Sequence, residues 1–369
     1  MTRSPTGSAD LRVGVAQAGV GYLLGSLGAC LILLSRDLHV ARGELAWLSA
    51  GFGGALIVVG VSGAWILHAG AAAVLRVCAA VLAAGTALLA VAPSLPLAQA
   101  GALVLGAGGA GITLASPALL GDRRAAARLA VVTAVGMLAG VCGPVLISIF
   151  DATTGNGRLA LLVPVPALIW LAATRATAPA IEELAPRAPT RPATGSLAPI
   201  AVRWLCLVLA VAAEFAFHLW GAARLQDSGL GAPAAAAAAA AFPLGMATGR
   251  LAAIRLIGEK AVVSVAAALG IAGALGLAAP VSPVIATLAL GLAGLGIAVL
   301  YPVNLARLMA LPALGLSRGA ALGAVASGVA ALGSPAAVHA LAAATSLRAS
   351  LIAVAVVLAI LVALDRRIN

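Results

Sequence analysis

The sequence predicts an all-α polytopic membrane protein with twelve transmembrane helices in two six-helix halves. Of its 369 residues, 63% are hydrophobic and 9% charged, and its mean hydropathy is +1.14, far above that of a soluble domain of this length. Apolar runs long enough to cross a hydrocarbon core of about 30 Å recur between charged or Pro-rich breaks. The runs are continuous rather than alternating, which excludes a transmembrane barrel.

In chain order the predicted spans are 13–35, 45–67, 71–92, 97–119, 127–150 and 158–174, then 203–223, 232–256, 261–279, 283–306, 319–341 and 346–364. The first follows a short polar stretch, "MTRSPTGSAD", and is too long for a signal peptide, so it is expected to remain in the mature chain. Between the sixth and seventh spans lies the longest non-apolar segment, "TRATAPAIEELAPRAPTRPATGSLAPIAVR". Its Pro, Arg and Glu content cannot build a core. The expected organisation is therefore an N-terminal half over 1–174, a cytoplasmic linker over 175–202 and a C-terminal half over 203–369.

Basic residues orient the chain. With the N-terminus inside, seventeen of the 22 Lys and Arg fall on the inner side, and only Arg36, Arg42, Arg158, Arg224 and Arg348 fall outside. One missed span would scramble that bias, so it supports both the count and cytoplasmic termini. The net charge of +11 is then explained by topology and contact with anionic lipid rather than by nucleic acid. Abundant Gly, Ala and Arg with a single Lys suggest a bacterial plasma membrane.

Cys30, Cys78, Cys142 and Cys206 each stand alone in an apolar span, with no CxxC spacing and no metal-ligand pattern. They read as small buried residues, and no disulfide, metal or cofactor is expected. "GAGGAG" satisfies GxGxxG at Gly106, Gly108 and Gly111, but a dinucleotide site needs a strand before the glycines. Inside a span they favour close helix packing instead.

Glu214 opens the stretch "EFAFHLW" in the seventh span. Counted from Arg203 it lies about 16 Å into the membrane, at 1.5 Å per residue, near the midplane. An unpaired carboxylate there is costly, so it is expected to face a central cavity, take up a proton or meet a partner. His218, four residues on, shares its helix face, and Trp220 follows. One reading has Glu214 binding a proton or a polar solute with His218 modulating it; the other has Glu214 bonding a neighbouring helix. Trp220 is either a stacking surface for a planar ligand or an interface anchor. Gln17, Tyr22, Ser26, Thr113, Ser116, Tyr301 and Asn304 are further polar residues that line a cavity or bond between helices, and His339 reads as interfacial.

Several motifs carry a family resemblance. "GAWILHAG" between the second and third spans has Gly63, His68 and Gly70 at the positions of a cytoplasmic gate motif, with Leu67 in place of the motif's acid. "GMATGRLAAIR" matches the related segment of the second half at Gly245 and Arg250, with Gly249 in place of the acid. "GMLAGVCGPV" places Gly140, Gly143 and Pro144 like the Gly-Pro motif of antiporters. Over essentially its whole length the chain resembles the major facilitator superfamily. "EFAFHLW" followed by "LGAPAAAAAAAAFPLGMATGR", with "GLAGLGIAVLYPVNLA" later, is most similar to the fucose-permease-like and sugar-permease branch.

The resemblance implies two halves that rock about a central site near the midplane. It implies a secondary transporter, not an enzyme, of a small polar organic solute such as a sugar, coupled to protons through Glu214 and working as a monomer. The expected binding residues are Glu214, His218, Trp220, Gln17, Tyr22 and Asn304, and the gating residues Gly63, His68, Gly70, Gly245 and Arg250. No cation is expected deep in any span, which favours neutral or cationic ligands. The alternatives are proton-antiport efflux of lipophilic cations, drawing on the Gly-Pro motif, and a membrane sensor without transport.

Overall fold

The computed structural model describes residues 5–40, 42–120, 125–174, 197–253, 261–311 and 314–368. Among them the chain is helical throughout. The helices are α1 (Pro5–Leu38), α2 (Arg42–Val61), α3 (Gly63–Leu67), α4 (Ala71–Val91), α5 (Leu95–Leu119), α6 (Ala125–Thr154) and α7 (Val165–Ala173). They continue as α8 (Ala198–Asp227), α9 (Ala232–Ala238), α10 (Ala241–Ala253), α11 (Val262–Ala278), α12 (Pro283–Ile297), α13 (Leu300–Met309), α14 (Gly315–Ala344) and α15 (Leu347–Arg367). A 3-10 turn, Gly157–Leu162, precedes α7.

Among the described residues every predicted window falls on a helix or on two helices in succession, and eight spans, one of them α12 with α13, are long and apolar enough to cross a bilayer. Of the windows that hold two helices, 45–67 breaks at Ser62 without a proline, whereas the eighth and tenth are broken where proline enters. Pro302 sits in the first turn of α13, where its missing N–H is tolerated, and the chain turns just before it at Ala298 and Val299. Pro243 plays the same part at the start of α10, after the turn at residues 239–240. The predicted linker lies outside the described residues up to position 196, and α8 begins at Ala198, five residues earlier than expected.

The packing repeats with a shift of six spans. α1 lies on α6 as α8 lies on α14, and α2 on α5 as α10 on α12. In the same way α4 pairs with α5 and α7, and α11 with α12 and α15. The two sets meet through α2 with α14 and α6 with α10, contacts that the same six-span shift interchanges.

Lipid tails are as apolar as Leu, so helices associate in the bilayer by packing rather than by hydrophobic transfer, and small residues let backbones approach. Gly21 and Gly25 of α1 face Gly136 and Gly140 of α6. A Cβ on Gly25 would stand 2.7 Å from the Gly140 Cα, in a space only hydrogen can occupy. Gly245 and Gly249 of α10, a GxxxG pair, press on α12 at Gly291 and Leu295 in the same manner.

Ion pairs fasten the helix ends. At the face that holds the chain termini, Arg203 of α8 and Arg307 of α13 donate to Asp365 of α15 at 2.6 and 2.7 Å, and that carboxylate is 5% exposed. The first set has a counterpart, in which Arg12 donates to the Thr174 hydroxyl and carbonyl at 2.8 and 2.9 Å. At the far face Arg36 holds Asp151 through two hydrogen bonds of 2.7 and 2.8 Å, and Arg158 meets Asp37 at 3.0 Å. Of the four cysteines, Cys30 and Cys206 are buried, Cys78 is half-buried and Cys142 is exposed on α6. The reading of all four as buried is corrected at Cys142, which lies on the outer surface of the bundle.

Two outcomes check this packing. Gly25→Val is expected to abolish recovery of monodisperse protein in detergent, whereas Gly14→Ala, with nothing within 4 Å of the new Cβ, leaves it unchanged. Asp365→Asn leaves two arginines without their shared carboxylate and is expected to cost about 3–5 kcal/mol, read as a lowered midpoint of thermal unfolding.

Candidate functional site

α8 carries the site. Its sequence is apolar from Trp204 to Ala213, opens with a proline in its first turn and is interrupted by charge only at Glu214 before Arg224. The Glu214 side chain is 12% exposed and that of His218 is 6% exposed, and His218 Nε2 stands 3.8 Å from Glu214 Oε1. That is too long for a hydrogen bond. His218 Nε2 has no hydrogen-bond partner among the described residues. Phe242 of α10 packs on the imidazole in a T-shaped contact with ring centroids 4.7 Å apart, and it also meets Phe217.

Arg250 of α10 completes the constellation. It is 8% exposed, and it acts electrostatically on both Glu214 and the Tyr301 phenol of α13. The expectation that no cation lies deep in a span is corrected here. Arg250 lies within the eighth predicted span, 232–256, and is buried there. Its Nε donates to the Ala298 carbonyl at 3.2 Å. That carbonyl is free because Pro302, four residues on, has no N–H to offer it. The broken tenth span thus supplies the acceptor that fixes Arg250. Arg224, in the last turn of α8 just beyond the predicted span, is wholly buried in protein and donates to the carbonyls of Leu277 and Ala279.

Four spans of the second set converge on this point: α8 with Glu214 and His218, α10 with Arg250, α13 with Tyr301 and α14 with Ser327, whose hydroxyl approaches that of Tyr301. Asn304, one turn beyond Tyr301, is fully buried. Its amide donates to the Leu300 carbonyl at 2.7 Å, and its Oδ1 has no partner among the described residues. Trp220 stacks on His339 of α14 at 5.8 Å with planes 10° apart, so one face of its ring is occupied. His339, read as interfacial, belongs to that half-buried pair.

The first set contributes differently. Gln17 Nε2 donates to Ser116 Oγ at 2.9 Å, and the Tyr22 hydroxyl donates to the Ala160 carbonyl at 2.7 Å. Ser26 bonds back to the Tyr22 carbonyl and Thr113 to that of Gly109. These polar ends are directed at neighbours within the first set, and the structure does not bring them to Glu214. Gly28 of α1 does approach, since a Cβ there would stand 2.7 Å from the His218 carbonyl. The two sets therefore touch at the level of His218 and again beyond it, where Ser148 of α6 donates to Pro233 of α9 at 3.5 Å. A cavity of about 290 Å³ lies in that far-face seam, lined by Arg36, Asp151, Ser148, Gln226 and Pro233 among others.

The motif residues have local structural reasons. Gly70 follows α3 with φ at +87°, a left-handed conformation that side chains disfavour. Gly63 abuts Leu114 of α5, and His68 caps α3 on the exposed surface. Gly245 belongs to the α10–α12 packing described above. Gly140 and Gly143 of the Gly-Pro stretch pack on Gly21 and on Ser26 with Tyr22.

No protein-family profile and no curated protein sequence matches the chain. Solved structures do match. A variant of the nucleoside transporter NupG is 13% identical with a TM-score of 0.72, over 98% of this chain and 99% of that one. FucP, a major facilitator superfamily transporter in the outward conformation, is 13% identical with a TM-score of 0.69, over 98% and 99%. A variant of the Escherichia coli fucose:proton symporter FucP is 16% identical with a TM-score of 0.64, over 96% and 98%. This chain has the major facilitator fold. Within that fold the Glu214 cluster lies on spans seven, eight, ten and eleven.

A double-mutant cycle checks that Glu214 and Arg250 act as a unit. Each single change to Gln leaves one buried charge without its counter-charge, and the double change removes both. The coupling between the two is expected to exceed about 1 kcal/mol, read from unfolding midpoints in detergent.

Proposed function

We propose that the chain is a secondary active transporter of a small polar organic solute, coupled to protons through Glu214. The observation that carries this reading is a carboxylate held in the middle of α8, facing His218 and Arg250, in a major facilitator fold. A charge in a bilayer interior is costly and marks proton relays and solute pathways. The solved relatives include a nucleoside transporter and a fucose:proton symporter, and sugars and nucleosides are the first solutes to test.

In this proposal the halves over 1–174 and 203–369 rock about the cluster, with the linker between them on the cytoplasmic side. The excess of basic residues on the terminal face supports cytoplasmic termini in a bacterial plasma membrane. The contacts of Gly28 with His218 and of Ser148 with Pro233 then close the outward side. Repeated pairing within one chain supports a monomer as the working unit, with the lipid bilayer, the solute and protons as its partners. Efflux of lipophilic cations loses its motivating motif, because Gly140 and Gly143 have packing reasons of their own.

The test is flux into sealed vesicles holding the purified protein, with a labelled panel that begins with fucose and uridine and extends to sugar acids and short hydroxy acids. An inward proton gradient is expected to raise uptake, and Glu214→Gln is expected to remove that dependence. Ligand binding without net flux would replace the transporter with a sensor. Unchanged proton dependence in Glu214→Gln would remove Glu214 from the coupling.

A further inference from the structure

Arg250 is fixed through one nitrogen. Its Nε is taken by the Ala298 carbonyl, while its two terminal nitrogens donate to no described residue. Glu214 is within electrostatic reach yet makes no ion-pair contact with it. The other groups facing the pair are His218 on α8, Tyr301 on α13 and Ser327 on α14. α12 and α6, which also pack on α10, bring no charged residue from Pro283 to Ile297 or from Val131 to Phe150. A buried guanidinium held through Nε alone therefore lies within electrostatic reach of a carboxylate that it does not touch.

We propose that Arg250 docks a carboxylate of the transported solute, and that Glu214 and that solute alternate as its counter-charge. This rests on the transporter reading and names its solute class as small organic anions of single charge. A guanidinium stays charged throughout the physiological range, so in an apolar interior it needs an anion at every stage of the cycle. Without solute, Glu214 is that anion. A solute carboxylate can take both terminal nitrogens, the two-pronged geometry that suits guanidinium best.

Once the solute holds Arg250, Glu214 no longer has its counter-charge, and it takes one proton from the water on the open side. An O–H bond forms at Glu214, and no bond of the solute breaks. The loaded site is then Arg250 with the solute anion beside a neutral Glu214, and it carries no net charge. Solute and proton leave together on the other side, and Glu214 returns to Arg250. A proton alone would leave Arg250 uncompensated, and an anion alone would leave one negative charge in excess. Both leaks are suppressed by the same electrostatics, and the stoichiometry is one proton per anion.

The test is equilibrium binding to the purified protein, comparing D-gluconate and L-lactate with the neutral D-glucose and glycerol at acid, neutral and mildly alkaline pH. Gluconate or lactate is expected to bind and its neutral counterpart to bind far more weakly; which of the two anions binds separates sugar acids from short hydroxy acids. One proton taken up per anion makes affinity rise about tenfold for each unit of acidification over the range where Glu214 is ionised in the empty protein. Glu214→Gln is expected to bind the anion without that pH dependence. Arg250→Gln is expected to lose binding, and Arg250→Lys, which keeps the charge if Arg250→Gln does not fold, to retain a weakened form of it.

Neutral solutes bound equally by native protein and Arg250→Gln would overturn the proposal, as would anions bound no better than their neutral counterparts at every pH. In either case proton-driven uptake of a neutral solute that disappears in Glu214→Gln would leave the transporter reading standing. Loss of that dependence on Glu214 is what would remove the reading itself.

Discussion

A charge in the membrane interior must meet an opposite charge, and that constraint orders most of this molecule's polar chemistry. Asp10, Asp37, Asp151 and Asp365 all lie near helix ends, and each meets an arginine: Arg128, Arg158, Arg36, and Arg203 with Arg307. These pairs sit where water and headgroups relieve part of the desolvation cost. They fasten the first span to the fifth and sixth at the far face, and the first to the fifth and the seventh and tenth to the twelfth at the terminal face. Glu214 is the exception, far from either end of a 30-residue helix, and its compensation must come from other spans. Arg250 of α10 supplies it from within the second set.

Meeting that constraint requires backbones to come close, and glycine makes it possible. α10 lies tightly on α12 because Gly245 and Gly249 carry no side chain, and that approach brings Arg250 to the break before Pro302. The proline that interrupts the tenth span frees the Ala298 carbonyl, and Arg250 uses it. A sequence defect in one helix and a small-residue stripe in another thus jointly hold one guanidinium. On the opposite side, Gly28 lets α1 rest on the backbone of α8 at His218. Movement between the sets is therefore felt next to the ionisable pair, which is the physical link between protonation and rocking that the proposed cycle needs.

Much of the fold was legible because continuous apolar runs and basic loops are strong signals: each of the twelve windows lands on helix. Glu214 with His218 was also legible, since a spacing of four places both on one face. What the sequence concealed depends on tertiary placement. Arg250 looked like a gate residue at a helix end, because a hydropathy window does not tell how far a long side chain reaches inward. The proline at 302, which frees the Ala298 carbonyl for Arg250, held the relevant signal. Gln17 and Tyr22 were equally plausible as lining residues until Ser116 and Ala160 claimed their polar atoms. The pairing of Trp220 with His339 joins residues more than a hundred positions apart, and no local pattern announces it.

The central claim is that Glu214 gains and loses a proton inside the membrane under working conditions. Difference infrared spectroscopy of the reconstituted protein, taken as pH is stepped from alkaline to acid, tests it most directly. The account predicts a protonated-carboxyl band that grows on acidification and is absent from Glu214→Gln, with Asp365→Asn retaining it. An identical difference spectrum in native protein and Glu214→Gln would contradict the claim and leave Glu214 a fixed structural charge.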